Sequence, residues 1–195
     1  MIKIITNTDM IDEVMRIYED SFPVSERQSN IIIINRINSG EEKLIGYFNS
    51  QNKLLGIALL WDLGVQNCIL LDYFAISSEA RGNNFGTQFI ESIVKDFINE
   101  DQILVLEVEN PYDMSPNSLE YRRLMFYKKF DCIEYPDYNY FIPAFDRSGY
   151  IDFKILTINR KHLKVNNISE IAYAIYTQIY SLLPEEANDL INKQL

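Results

Sequence analysis

The order of apolar and polar positions along the chain predicts a mixed α/β domain. A short apolar segment at 2–6 predicts a strand, and residues 8–22 place apolar side chains at helical spacing with acidic residues on the opposite face. Residues 28–40 contain four consecutive isoleucines, which suit a strand as well as a helix. We expect a helix there, because Gly40 stands where a glycine commonly caps the C-terminus of a helix.

Three apolar segments follow, at 42–48, 53–63 and 67–76, and only short polar turns separate them. Such turns favour antiparallel strands in a meander. A helix then separates the third segment from the apolar run at 102–110, so these two strands are expected to run parallel. Four adjacent apolar residues in that run predict an interior strand that is buried on both faces.

The second half of the chain adds helices and one further pair of strands. We predict a helix at 119–130, strands at 132–142 and 150–158, a helix at 169–183 and a shorter helix after Pro184. In a sheet of this kind, ligands bind at the carboxyl ends of strands where the strand arrangement changes. The sequence places that position directly after the segment at 67–76.

Composition indicates an ordinary globular chain. At 195 residues, with 47% hydrophobic and 24% charged residues, it suits one domain with a sizeable core. The N-terminus lacks the pattern of a signal peptide, and no apolar run approaches the roughly 20 residues of a membrane span. Cys68 and Cys132 lie inside apolar runs and give neither a disulfide nor a metal-ligand pattern. We therefore expect a cytoplasmic protein with reduced thiols, no bound metal and no membrane association.

The formal net charge of −10 changes the list of expected partners. Nucleic acid selects for basic surfaces, so an acidic chain is poorly suited to bind it. Negative charge attracts cations, which include small amines, and it also keeps a protein soluble. Both interpretations of the charge stay open at this point.

The loop between the strand at 67–76 and the next helix carries candidate chemistry. The segment SSEARGNNFGTQF places two of the chain's 7 glycines four residues apart at the start of a helix. A diphosphate requires several converging backbone N–H groups, and a helix N-terminus supplies these together with a positive dipole end. The loop has neither the G-x-G-x-x-G of a dinucleotide site nor the ending of a P-loop. An ordinary tight turn is the alternative.

The segment AISSEARGNNFGTQFI resembles the acyl-CoA-binding signature of the GNAT acetyltransferase superfamily. Arg81 fills the first position of that signature, Asn84 stands where the first glycine is usual, and Gly86 fills the last position. Asn tolerates a left-handed backbone better than most residues other than Gly. The segment EYRRLMFYKKF is similar to the second marker of the superfamily, a helix that ends in an aromatic–Tyr pair. Asp131 and Cys132 replace the Gly-Phe pair that usually follows, and the Asn that usually precedes this helix is missing.

This resemblance covers residues 1–157 and leaves 158–195 as a C-terminal helical extension. It implies a mixed, mostly antiparallel central sheet with helices on both faces, and transfer of acetyl from acetyl-CoA directly to an amine. It also implies that Tyr127 acts as the acid that protonates the departing thiolate. The residues expected to contact the cofactor are Ala75, Ile76, Arg81, Gly82, Asn83, Asn84, Phe85, Gly86 and Thr87.

Several carboxylates are candidates for the base that removes a proton from the amine. Glu107 and Glu109 alternate with apolar residues and so share one face of their strand, and Asp72 lies inside the neighbouring apolar segment. We expect Glu107 to be the base, although each of the three has an equally plain structural interpretation. Asp113 and Glu120 would add negative charge nearby and favour a cationic acceptor.

Other features leave alternatives open. The aromatic run YPDYNYF at 135–141 could line an acceptor site or only pack in a strand, and His162 lies in a polar link where we expect it to be exposed. A rival function is a GNAT-fold protein that binds coenzyme A without catalysis. A second rival is an interaction module, because residues 173–180 carry an apolar stripe that suits packing on the domain or a homodimer. The acceptor could be a small amine, an antibiotic, a polyamine or a protein amine.

Overall fold

The computed structural model describes residues 1–6, 10–112 and 114–194, and of Gln194 only the backbone. These residues form eight strands and six α-helices. The strands are β1 (Ile2–Ile4), β2 (Glu42–Phe48), β3 (Leu54–Asp62), β4 (Cys68–Ile76), β5 (Ile103–Glu109), β6 (Ile133–Glu134), β7 (Tyr140–Pro143) and β8 (Tyr150–Ile158). The helices are α1 (Ile11–Ser21), α2 (Asn30–Ser39), α3 (Phe85–Asp96), α4 (Leu119–Tyr127), α5 (Ile168–Gln178) and α6 (Pro184–Gln194).

The strands belong to a mostly antiparallel sheet in a mixed α/β fold, which confirms the predicted fold class. The chain divides into two compact units. The first comprises Met1–Asp62 and Leu71–Asn99, and the second comprises Leu63–Leu70 and Glu100–Leu195. This division cuts β4 after Leu70.

In the first unit, β1, β2, β3 and β4 follow one another in spatial order. The β1–β2 and β2–β3 pairs are antiparallel, as the short turns predict. Helix α1 lies within the predicted segment 8–22, of which residues 8 and 9 lie outside the described residues. Its buried Val14 and Tyr18 join a core that includes Ile33 of α2 and Ile57 of β3.

Helix α2 settles the ambiguity of the isoleucine run. Gly40 caps this helix with a left-handed backbone, at a φ of 79°, and its N–H donates to the carbonyl of Ile37. Only Ile33 of the four isoleucines is fully buried, while Ile31 is exposed. The helix was therefore predictable from its cap rather than from its apolar run.

In the second unit, β8 is antiparallel to β5, β6 and β7. Strand β5 is buried from Ile103 through Leu106, which confirms the predicted interior strand. The predicted strand at 132–142 is wrong as one element, because a turn at Pro136 and Asp137 separates β6 from β7. Proline lacks an N–H and interrupts the ladder of a strand.

Two further boundaries differ from the sequence expectation. Helix α4 ends at Tyr127 and continues as a 3₁₀ turn to Phe130, after which Asp131 adopts a left-handed backbone with a φ of 50°. Asp131 thus takes a conformation in which Gly is more usual, and Asp is among the residues that tolerate it. Helix α6 has the same number of residues as α5, so the prediction of a shorter last helix is wrong. No helix of the described ranges has the length and apolar character that a membrane crossing requires.

Candidate active site

The candidate anion-binding loop in the first unit runs from the end of β4 to the start of α3. A 3₁₀ turn at Ser78–Ala80 follows the strand, and Gly82 then adopts a φ of 82°. Asn84, the residue before α3, has a left-handed backbone with a φ of 60°. Two left-handed positions separated by one residue let the chain turn sharply into the helix, and Asn84 does this without being glycine.

The start of α3 presents its backbone N–H groups at this turn. The first intrahelical bond runs from the N–H of Gln88 to the carbonyl of Asn84, at 3.2 Å. The N–H groups of Phe85, Gly86 and Thr87 therefore precede the helical ladder, where no intrahelical acceptor exists. The residues from Arg81 to Asn84 are exposed. This geometry matches the site that a diphosphate requires.

Arg81 supplies a positive charge beside the loop and is held in place there. Its Nε donates to the carbonyl of Ile76 at 3.0 Å, and its Nη2 donates to Ser21 Oγ at 3.2 Å. The side-chain amide of Asn83 donates to the carbonyls of Ala80 and Arg81, each at 3.2 Å. The loop is therefore stabilised by its own side chains.

The backbone of β4 at Ala75 and Ile76 lies close to β3. A Cβ placed on Gly56 would lie 2.7 Å from the carbonyl oxygen of Ala75 and 2.7 Å from Cδ1 of Ile76. Gly56 is therefore required for the spacing of these two strands at the residues predicted to contact the cofactor. Sequence reasoning did not single out Gly56, because a glycine inside an apolar strand gives only a weak signal.

Asp72 belongs to a buried cluster of charged residues in the same unit. Its Oδ2 lies 3.8 Å from Nη1 of Arg36, and both side chains are less than a tenth exposed. Glu42, only 1% exposed, belongs to the same cluster, where the charge of Asp72 acts on its carboxyl. Burial raises the pKa of Asp72 and raises the pKa of Glu42 well above its usual range. Asp72 is therefore paired with Arg36 inside its apolar strand.

Glu107 in the second unit accepts hydrogen bonds from two tyrosines. The hydroxyl of Tyr140 donates to Oε1 of Glu107 at 2.6 Å, and the hydroxyl of Tyr180 lies 3.4 Å from the same oxygen. Burial and then the charge of Glu107 raise the pKa of Tyr140 well above its usual range, so this phenol stays a donor. Glu107 itself is half-buried.

Tyr127 is buried at the end of α4, near an ion pair. Arg123, one turn earlier, forms that pair with Glu109 of β5. Burial raises the pKa of Tyr127 to about 12, while the charge of Arg123 acts to lower it and that of Glu109 to raise it. Because Arg123 neutralises Glu109, Glu107 is the better candidate for a base on this strand.

The structure describes two of the three other residues that the sequence analysis named for possible site chemistry. Glu120 is in the first turn of α4, His162 is exposed as expected, and Asp113 lies outside the described residues. No group of three or more His, Cys, Asp or Glu side chains that could hold a metal ion occurs within residues 1–6, 10–112 and 114–194. Sequence reasoning named Tyr140 only within the aromatic run and Tyr180 only within the apolar stripe. Nothing in the sequence indicated that both reach Glu107.

The candidate anion-binding loop lies inside a segment that matches a known protein family. A family model described as Acetyltransferase (GNAT) family matches residues 11–115, which is more than half of the chain. The match includes the whole loop and the start of α3. No curated protein sequence matches the chain significantly.

Several solved structures share the fold. A GNAT-family protein from Bacteroides thetaiotaomicron matches with a TM-score of 0.80 at 18% identity, and covers 94% of this chain and 99% of its own. The ribosomal-protein-S18-alanine N-acetyltransferase from Escherichia coli matches at 0.60, with 15% identity and coverage of 86% and 97%. A spermidine/spermine N-acetyltransferase from Vibrio cholerae matches at 0.59, with 14% identity and coverage of 81% and 91%.

Proposed function

The chain belongs to the acetyltransferase (GNAT) family, and we propose that it transfers an acetyl group from acetyl-CoA directly to the amine of a cationic acceptor. The observation that carries this proposal is the turn at Gly82–Thr87. It joins two left-handed residues to the N-terminus of α3, in the segment that matches the family. The N–H groups that precede the helical ladder of α3, together with Arg81, would bind the diphosphate of the cosubstrate.

The chemistry requires one group to accept a proton and another to stabilise the leaving thiolate. The acceptor amine attacks the thioester carbonyl, a C–N bond forms, and the C–S bond breaks to release the thiolate. In our proposal Glu107 takes a proton from the acceptor ammonium, which frees the amine lone pair for attack, and Tyr127 stabilises the thiolate. Two phenol donors hold Glu107 in place for this step.

The pKa of Tyr127 determines whether it transfers its proton to the thiolate or only donates a hydrogen bond. Its pKa of about 12 keeps the phenol protonated at neutral pH, so it donates a hydrogen bond to a departing thiolate. That pKa also lies above the ~8.5 of a thiol, so complete transfer of the proton to the thiolate is unfavourable. Complete proton transfer becomes easier as the pKa of Tyr127 falls. The positive charge of Arg123 favours that direction.

A cationic acceptor fits the charge of the chain and the carboxylate on β5. The formal net charge of −10 favours the approach of an ammonium, and Glu107 offers it a hydrogen-bonded carboxylate. One structural neighbour carries the name spermidine/spermine N-acetyltransferase, which is consistent with an amine acceptor. A cytoplasmic location, a homodimer and the lack of nucleic-acid binding remain predictions from the sequence.

The proposal is tested by following thiol release from acetyl-CoA with a set of acceptors. The set consists of spermidine, tyramine, a lysine-containing peptide with a free N-terminus and, as an anionic control, glutamate. We expect thiol release with at least one cationic acceptor and none above background with glutamate. If no acceptor reacts while acetyl-CoA still raises the melting temperature, the chain is a coenzyme A-binding protein without this activity.

A further inference from the structure

The carboxylate of Glu107 receives a donor from the segment that follows α5. Tyr180, two residues after the end of that helix, places its hydroxyl 3.4 Å from Oε1 of Glu107. The family match ends at 115, so this tyrosine lies far outside it in sequence. A residue of the C-terminal segment thus reaches a candidate catalytic group.

We infer that Tyr140, Tyr180 and Glu107 form the acceptor-binding part of the active site, and that Tyr180 is a positioning residue that makes acceptor binding depend on the C-terminal segment. The inference rests on the proposed function. It names the acceptor class more closely, as a primary ammonium carried on an apolar or aromatic body.

Tyr140 is the fixed member of this group. Its side chain is fully buried, and its ring stacks on those of Tyr138 and Tyr176, with centroids 6.4 and 5.5 Å away. Its 2.6 Å bond to Glu107 is a short, charge-assisted hydrogen bond. Packing therefore restrains this ring, and its hydrogen bond links the Glu107 oxygen to β7.

Tyr176 anchors the stack from α5. Its hydroxyl donates to the carbonyl of Phe141 at 2.6 Å, and its ring is completely buried. This bond joins α5 to β7. Tyr176 is therefore a structural counterpart of Tyr180, one helical turn earlier, and provides a matched control.

The hydroxyl of Tyr180 lies farther from Glu107 than the hydroxyl of Tyr140 does. It is half-buried, and 3.4 Å is long for a hydrogen bond between two oxygen atoms. Its ring stacks on the half-buried Phe145, with centroids 5.2 Å apart. An ammonium is attracted by aromatic rings as well as by a carboxylate, so Phe145 and Tyr180 favour an amine with an apolar body beside Glu107.

The test compares Tyr180→Phe with Tyr176→Phe in steady-state kinetics, with spermidine and tyramine as acceptors. We expect Tyr180→Phe to lower kcat/KM for the acceptor by about tenfold or more, as for the loss of a hydrogen bond to a charged group. The KM for acetyl-CoA and the shift of the melting temperature by acetyl-CoA should stay unchanged. Tyr176→Phe should leave kcat/KM for the acceptor within about twofold of the wild type, because the hydrogen bond that it removes joins α5 to the backbone of β7.

A second measurement does not require turnover. Carbodiimide coupling of glycinamide to Glu107, mapped by mass spectrometry, reports how well the carboxylate is shielded by its two phenols. We expect Tyr180→Phe to increase this labelling several-fold and Tyr176→Phe to leave it unchanged. Equal labelling in all three proteins overturns the inference, as does an unchanged kcat/KM in Tyr180→Phe. A wild type that labels as expected but transfers acetyl to no acceptor contradicts the proposed function instead.

Discussion

At the scale of single residues, Tyr127 combines burial with two opposing charges. Its hydroxyl is held away from solvent, Arg123 favours its ionisation, and Glu109 opposes it. With a pKa of about 12, the phenol is protonated at neutral pH. Its function as a donor therefore depends on geometry rather than on titration near neutral pH.

Replacement of Tyr127 by Phe should separate donor function from packing. The ring remains and fills the same buried space, so we expect kcat to fall by ~10²-fold or more while the fold is kept. The shift of the melting temperature by acetyl-CoA serves as the control and should match that of the wild type. An unchanged kcat at saturating substrate would reduce Tyr127 to a packing residue.

Glu42 gives a prediction about stability rather than activity. Burial and the neighbouring Asp72 raise its pKa in the folded protein, while Arg36 stabilises the ionised form of Asp72. We therefore expect the buried pair to hold one proton, which we assign to Glu42. A group with a raised folded pKa contributes stability that is complete below its unfolded pKa of ~4.3 and is lost as the pH rises towards the folded value.

The substitution Glu42→Gln should remove that loss. A glutamine carries no ionisable proton and places a neutral amide beside Asp72. Between pH 5 and pH 8 we expect the free energy of unfolding, measured in urea, to fall less in Glu42→Gln than in the wild type. The neighbouring Glu41 is exposed, so Glu41→Gln makes the same change in net charge and should follow the wild type. Parallel curves for all three proteins would show that Glu42 is already ionised in the folded state.

At the scale of secondary-structure elements, the sequence predicted the helices and most strands well. Val14 and Tyr18 of α1 follow the helical period, and Gly40 marks the end of α2. The division of one predicted strand into β6 and β7 was missed, because aromatic residues on both sides of Pro136 hid a turn. The pairing of Tyr140 and Tyr180 with Glu107 depends on contacts across 33 and 73 residues, which no local pattern encodes.

Helix α3 begins where the sequence predicts a helix, directly after the glycine-containing loop. Gly86 is the second residue of the helix, and its N–H is one of those that precede the helical ladder. We expect acetyl-CoA to raise the melting temperature while adenosine alone does not, because the diphosphate is the group that this helix N-terminus would bind. The substitution Gly86→Val places a branched side chain at this position and should abolish the shift.

Gly86→Ala provides the matched control, because alanine adds only a methyl group and is a good helix former. It should keep most of the shift with acetyl-CoA. Both variants should retain the far-UV circular dichroism of the wild type. A shift with adenosine equal to that with acetyl-CoA would mean that the protein binds the nucleoside and that the loop does not recognise the diphosphate.

At the scale of the whole molecule, the solved GNAT-family protein from Bacteroides thetaiotaomicron covers 94% of this chain. About 12 residues of 195 are left outside that match, so it includes part of the segment 158–195. The aromatic contacts of Tyr176 and Tyr180 give a physical reason. The segment that carries Tyr176 and Tyr180 hydrogen-bonds to β7 and to Glu107 of β5, so it is part of the second unit.

The excess of 28 acidic over 18 basic residues gives the last prediction, which concerns long-range attraction. A field of this sign accelerates the approach of a cation and is screened beyond about 8–10 Å at physiological ionic strength. We expect the KM for the acceptor to rise between low and high salt, and to rise more steeply for spermidine than for the singly charged tyramine.

Glu107→Gln should lower kcat/KM at neutral pH and recover partly at high pH, where more of the amine is already deprotonated and needs no base. A preferred acceptor that is an anion, with a KM independent of salt, would contradict both the cationic acceptor and the role of Glu107.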